Sequence, residues 1–208
     1  MRPTDFSKSV ADFLTRYLPG ERGASKNTIA SYKDTFILFL TFLKEKEKIL
    51  AEKLTLNQIT KEAVVNFLDW LEEERHCCAA TRNVRLAALH SFFQYLQYQN
   101  PENLMEWQRI LSIPVKRAEK TTINYLSVEG VRLILEGPNQ STKNGRRDLA
   151  LLSLMYDSGA RVQEIIDLTP SMVRLDTPCT VKLIGKGNKA RIVPLLEQQV
   201  KFLRIYMT

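Results

Sequence analysis

The spacing of apolar residues changes once along this chain, and the change limits what it can fold into. From Lys26 to Leu43 the side chains Ile29, Tyr32, Phe36, Phe39, Leu40 and Leu43 recur at three- and four-residue intervals, the period of one helical face, and Ser25 stands where an N-cap is needed. Val64, Phe67, Leu68 and Leu71 repeat the stripe behind Thr60. Leu86, Leu89, Phe93 and Leu96 repeat it again in "ATRNVRLAALHSFFQYLQ". With a shorter piece from Phe6 to Tyr17, these predict a four-helix domain ending near Asn100. After further helix signals, "CTVKLIGKGNKARIVPL" is β-rich on both sides of a glycine-bearing tip and predicts a hairpin.

Between these regions, residues 101–120 hold two prolines, a short amphipathic piece and the basic pair Lys116-Arg117. The end of the stretch, Pro114 to Lys120, reads as an interdomain linker. Ser127 then caps "VEGVRLILEG", and Arg146 to Ser158 predicts a helix stopped at Gly159. "ARVQEIIDL" predicts another, stopped by Thr169-Pro170, and "EQQVKFLRIYMT" a helix barely begun. The expectation is a mainly α protein with a small antiparallel β-hairpin or sheet, in segments 1–113, 114–120 and 121–208.

No apolar run approaches the roughly 20 residues of a membrane span, and the N-terminus is neither a secretory signal nor a transit peptide. A cytoplasmic interior with no membrane partner is therefore expected. Cys77, Cys78 and Cys179, with His76 and His90, form no paired metal-ligand spacing, so reduced, buried thiols and no metal are expected. The net charge of +7 points to a polyanion. It is concentrated: no Asp or Glu occurs from Arg75 to Pro101 or from Thr177 to Leu196, while Arg75, Arg82, Arg85, Lys182, Lys186, Lys189 and Arg191 do. Such zones are the electrostatic footprint of nucleic-acid binding, with a solvated basic face as the alternative.

Two short motifs bear chemistry. The tip "GKGNK" lacks the spacing of a nucleotide-binding phosphate loop, and Lys186 taken alone reads as a solvated turn lysine. In "SGARVQEIIDL" Arg161 opens a helix at a junction, and Glu164 lies one turn on, placed to orient it. A weak surface ion pair is the other reading.

In their order, "SKNTIASYKDTFILFLTFL", "ATRNVRLAALHSFFQYL", the basic linker, "RRDLALLSLMYDSGARVQEIIDL" and "VKLIGKGNKARIVPL" resemble the tyrosine recombinases, or phage-integrase family. The resemblance covers nearly the whole chain. Its sharpest parts are the Gly-x-Arg-x-x-Glu helix start and the Gly-Lys-Gly-x-Lys hairpin. Ala160 stands where the family usually has leucine.

The resemblance implies a four-helix SAM-like core-binding domain followed by the first part of an α+β catalytic domain. In this family a tyrosine attacks a DNA phosphodiester to give a 3′-phosphotyrosyl link, and a 5′-hydroxyl later reverses it, with neither metal nor nucleotide cofactor. By the same resemblance Arg161 would donate to the nonbridging oxygens of the reacting phosphate, and Lys186 would protonate the departing 5′-oxygen. Lys189 and Arg191 would hold backbone phosphates. Double-stranded DNA would be clamped by Lys26, Asn27, Thr28 and Tyr32 at one helix start and by Thr81, Arg82, Asn83 and Arg85 at another, with Lys116 and Arg117 along the backbone. Arg82 and Arg85, three residues apart, are expected on a face opposite the Leu86/Leu89/Phe93/Leu96 stripe.

The family's His-x-x-Arg box, a further His or Trp and the nucleophilic tyrosine are expected C-terminal to the hairpin and are not in these residues; Tyr206 is expected as a core residue. The chain is thus expected to bind DNA without cleaving it, and to be a monomer in solution where the full-length enzyme is a tetramer on DNA. Three readings follow: a fragment or truncated form of an integrase or transposase of a mobile element, a natural short DNA-binding regulator of recombination sites that does not cut, or a helical protein-interaction module.

Overall fold

Helix starts in this chain are set by short hydroxyl side chains. Thr4, Ser25, Thr60, Ser127 and Thr142 each accept a hydrogen bond from a backbone N–H three residues on, at 3.0–3.2 Å. Each satisfies an otherwise orphaned donor and contributes ~1 kcal/mol. In the computed structural model, which describes residues 3–118 and 124–207, the chain divides into two compact units, Met1–Thr121 and Thr122–Thr208. Glu119 and Lys120 of the expected linker, and residues 121–123 of the expected second domain, lie outside the described residues.

The first unit is built from α1 (Asp5–Asp12), α2 (Lys26–Lys46), α3 (Lys61–Glu73), α4 (Ala79–Gln99) and α5 (Leu104–Leu111). The first helix runs past the expected end at Tyr17: from Phe13 to Glu21 it continues as π-helical turns, with Pro19 inside. Residues five apart diverge on an α-helix, whereas wider winding brings them to one side. Phe13 and Leu18 are accordingly both buried. Phe13, Phe36 and Phe92 meet edge to face at the centre, with ring centroids 5.1–6.2 Å apart.

To the four helices expected before Asn100 the structure adds α5, within the expected first segment of residues 1–113. Trp107 and Ile110 are fully buried; the indole packs 5.1 Å from Phe93 and its N–H donates to Asn100 O at 3.2 Å. The short amphipathic piece is thus part of the core, because its apolar face packs against α3 and α4.

The second unit comprises α6 (Val128–Glu136), α7 (Lys143–Ser158), α8 (Val162–Ile166), strands β1 (Val173–Arg174), β2 (Thr180–Gly185) and β3 (Lys189–Pro194), and α9 (Glu197–Met207). The strands form an antiparallel sheet in the order β1-β2-β3, with Leu183 opposite Arg191 and Gly185 opposite Lys189. Val181 and Leu183 bury one sheet face against Leu154, Ala160 and Ile165. Ala160 thereby fills a core position.

Two expectations fail here. Tyr206 is exposed, because the buried stripe of α9 (Gln199, Val200 and Leu203) stops one turn earlier. The thiols are free but not buried: Cys77 and Cys179 are half-exposed and Cys78 is exposed, Cys77 lying in the loop before α4, Cys78 at its N-cap and Cys179 just ahead of β2. Among the described residues no helix is long and apolar enough to cross a membrane.

Candidate functional site

α7 ends at Gly159 in the left-handed conformation, and the chain re-enters a helix at Arg161, the N-cap of α8. Glu164, three residues on, reaches back. Its Oε2 accepts from the Arg161 backbone N–H and its Oε1 from Arg161 Nη1, both at 3.0 Å, the return half of a capping box. Arg191 comes from β3 and donates twice to the same carboxylate, Nη1 to Oε1 at 3.0 Å and Nη2 to Oε2 at 2.7 Å.

The three side chains differ in exposure. Glu164 is 3% exposed, Arg191 38% and Arg161 72%. The fork of Arg191, followed by the Arg161 N–H, holds the Glu164 carboxyl down to about 2. It is ionised at neutral pH, offsets one of two guanidinium charges, and leaves Arg161 anchored at one edge and open to solvent.

The hairpin meets this cluster at its glycine. A Cβ on Gly185 would lie 2.8 Å from Glu164 Oε1 and 3.7 Å from Arg161 Nη1, so a larger residue there has to displace either the carboxylate or the strand. The turn is made by Lys186, Gly187 and Asn188, the last two left-handed at φ 76° and 59°. The two glycines thus serve a close approach and a turn, and Lys186 and Lys189 project exposed from the end.

The sequence-predicted interface residues divide sharply. Lys26, Asn27 and Arg117 are exposed. Thr28 is tied to Ser25 through its amide at 3.2 Å and hydroxyl at 2.9 Å, and Thr81 lies 3.5 Å from Cys78 Sγ. Tyr32 stacks on Phe13 with centroids 6.2 Å apart, at the edge of the core.

Arg82 and Arg85 do not present a free face. Arg82 is buried, its Nη1 donating to Pro114 O at 3.3 Å and its Nε 3.7 Å from Glu72. Arg85 Nη1 donates to Ser31 O at 3.1 Å and Thr35 Oγ1 at 3.2 Å, joining α4 to α2. The reason is spacing: Arg82 and Arg85 stand four residues before Leu86 and Leu89 and so continue the buried side of α4, whereas Ala80, Val84, Ala87, Gln94 and Tyr98 on the opposite side are exposed. Asn83 is engaged too, its amide donating to Lys116 O at 2.7 Å and its Oδ1 accepting from Lys116 N–H at 3.1 Å. Lys116 Nζ pairs with Glu72.

Arg191 is corrected likewise, since its fork is filled by Glu164 and not held free for a phosphate. Glu72 and Gly185 were missed by sequence reasoning. Gly185 carried a signal, a glycine ahead of the turn it was credited to; Glu72 sat unmarked in a run of three glutamates.

The chain is similar to known proteins along most of its length. Residues 11–100 match the family model described as phage integrase, N-terminal SAM-like domain, and residues 124–208 that of the phage integrase family. The integrase/recombinase y4rD of Sinorhizobium fredii is 33% identical over 93% of this chain and 69% of its own length. The chain belongs to the phage integrase family. Its relatives include y4rC of the same organism, 36% identical over 95% of this chain, and the tyrosine recombinase XerC of Myxococcus xanthus, 31% identical over 92%. The chain spans 60% of the length of each of these two.

A solved site-specific recombinase and a solved lambda integrase share the fold. XerH bound to its difH substrate superposes with a TM-score of 0.65 at 23% identity, covering 89% of this chain and 54% of XerH. A lambda integrase dimer on a core site gives 0.63 at 15%, covering 95% and 66%.

Proposed function

We propose that this chain works in site-specific DNA recombination, with both units gripping duplex DNA at a recombination site of a mobile element. On this reading Arg161 holds the nonbridging oxygens of the reacting phosphodiester, and Lys186 gives its proton to the departing 5′-oxygen. The carrying observation is the shared carboxylate: Glu164, buried and ionised, anchors the open guanidinium of Arg161 and also holds the hairpin that bears Lys186. A guanidinium fixed before the substrate arrives needs no reorganisation as negative charge grows on the phosphate.

The DNA-bound relatives support the choice of ligand, since XerH is described in complex with difH and lambda integrase with a core site. In the first unit the exposed residues Lys26, Asn27 and Arg117 are our candidates for contact. Arg82, Arg85 and Asn83 support the surface from behind. We extend the first domain through Lys116, whose backbone Asn83 holds. The 208 residues bind without cutting: His76 and His90 are followed three residues later by Ala79 and Phe93, so neither opens a His-x-x-Arg box.

The test is titration of a labelled duplex between about 50 and 200 mM salt, where log K falls linearly with log salt for a phosphate-binding protein. Binding that is absent or indifferent to salt would favour a helical protein-interaction module. On a nicked suicide duplex no covalent adduct is expected; a trapped adduct would overturn the non-cleaving assignment.

A further inference from the structure

We propose that Arg191 is a positioning residue: its fork on Glu164 latches the hairpin to α8 and so sets where Lys186 stands relative to Arg161. The inference rests on the reading that these two cations act on one phosphate, and goes beyond it by naming what fixes their separation.

The hairpin has few anchors near its end. Leu183 is the last buried residue of β2; Ile184 and Gly185 are half-exposed, and residues 186–190 are exposed. On β3, Ile192 is 70% exposed and Arg191 lies opposite Leu183. The two contacts with Glu164, the Arg191 fork and the glycine approach at Gly185, are thus the outermost tertiary restraints before the tip. Both act on the carboxylate that anchors Arg161, so moving the hairpin relative to α8 requires breaking a bidentate pair. A lysine at 191 would keep the charge and lose the fork.

A double-mutant cycle on the full 208-residue chain, read as the dissociation constant for a labelled duplex, tests the latch. In the wild-type background Lys186→Ala weakens binding by roughly 3- to 10-fold, the scale of one lost phosphate contact. In Arg191→Leu, or in Gly185→Ala, which wedges the strand off Glu164 without changing any charge, the same substitution is expected to cost less than about 2-fold, because the lysine is no longer held in place. An equal cost in all three backgrounds overturns the proposal. If Arg191→Leu disturbs the α7 amides in hydrogen exchange, the unit is misfolded and Gly185→Ala decides.

Failure of the underlying reading looks different: Lys186→Ala then has no effect in the wild-type chain. The latch is in that case judged by hydrogen exchange alone. Faster exchange at residues 185–191 in both variants, with α7 unchanged, supports it; unchanged exchange overturns it.

Discussion

At the scale of single residues, the chemistry of a side chain proved less informative than what surrounds it. Arg82, Arg85 and Arg191 are three of the seven cations that the two acid-free runs of sequence offer to a polyanion, yet each is committed to a protein acceptor. Replacing Arg85 with alanine removes a charged donor from Ser31 O and Thr35 Oγ1 and is expected to lower the stability of the first unit by about 1–3 kcal/mol. Urea denaturation measures it, and DNA affinity should fall only as folding does. Weaker DNA binding at unchanged stability would return Arg85 to the interface. Glu164 makes a prediction in pH. Its folded carboxyl sits at about 2 against an ordinary 4.5, so its stabilisation is complete above about pH 4.5 and is lost as pH falls toward 2. Comparing Glu164→Gln with wild type, the stability difference should be constant at neutral pH and shrink across that window. A difference that held constant down to pH 2.5 would mean that the carboxylate is not ion-paired.

At the scale of elements, caps and apolar stripes were readable because both are local. Ser25, Thr60 and Ser127 start helices where the sequence put them, and the hairpin from Thr180 to Pro194 formed on its β-rich run. What escaped was any element whose form depends on a partner. The π-helical turns from Phe13 to Glu21 bring Phe13 and Leu18 to one core, and α5, legible only as a short amphipathic piece, becomes a core element through what it packs on. Its eight residues nonetheless bury Trp107 and Ile110. A fragment ending at Asn100 is therefore expected to be unfolded or molten, and one ending at Arg117 to fold, as judged by near-ultraviolet circular dichroism. Trp107→Ala in the longer chain should cost about 3–5 kcal/mol. A fragment ending at Asn100 with native dispersion would show that α5 is dispensable.

At the scale of the whole molecule, the two units have cores of different depth. Among the described residues the first gathers 23 buried apolar side chains in one cluster, and the second 5. Both tryptophans, Trp70 and Trp107, belong to the first. Chemical denaturation should therefore show hairpin and α7 amides exchanging before tryptophan fluorescence changes, whereas coincident transitions would show the units to be thermodynamically coupled. The amino-acid sequence by itself determined the helical first half, the late hairpin, the place of the basic charge and the two motifs of the phage integrase family, because periodicity, capping and spacing are local properties of a chain. Only the tertiary structure decided which cations stay open to a ligand. That depends on which acceptors come within hydrogen-bond reach once the elements pack: Glu164 lies 27 residues from Arg191 and Ser31 lies 54 from Arg85, and no local pattern carries those distances.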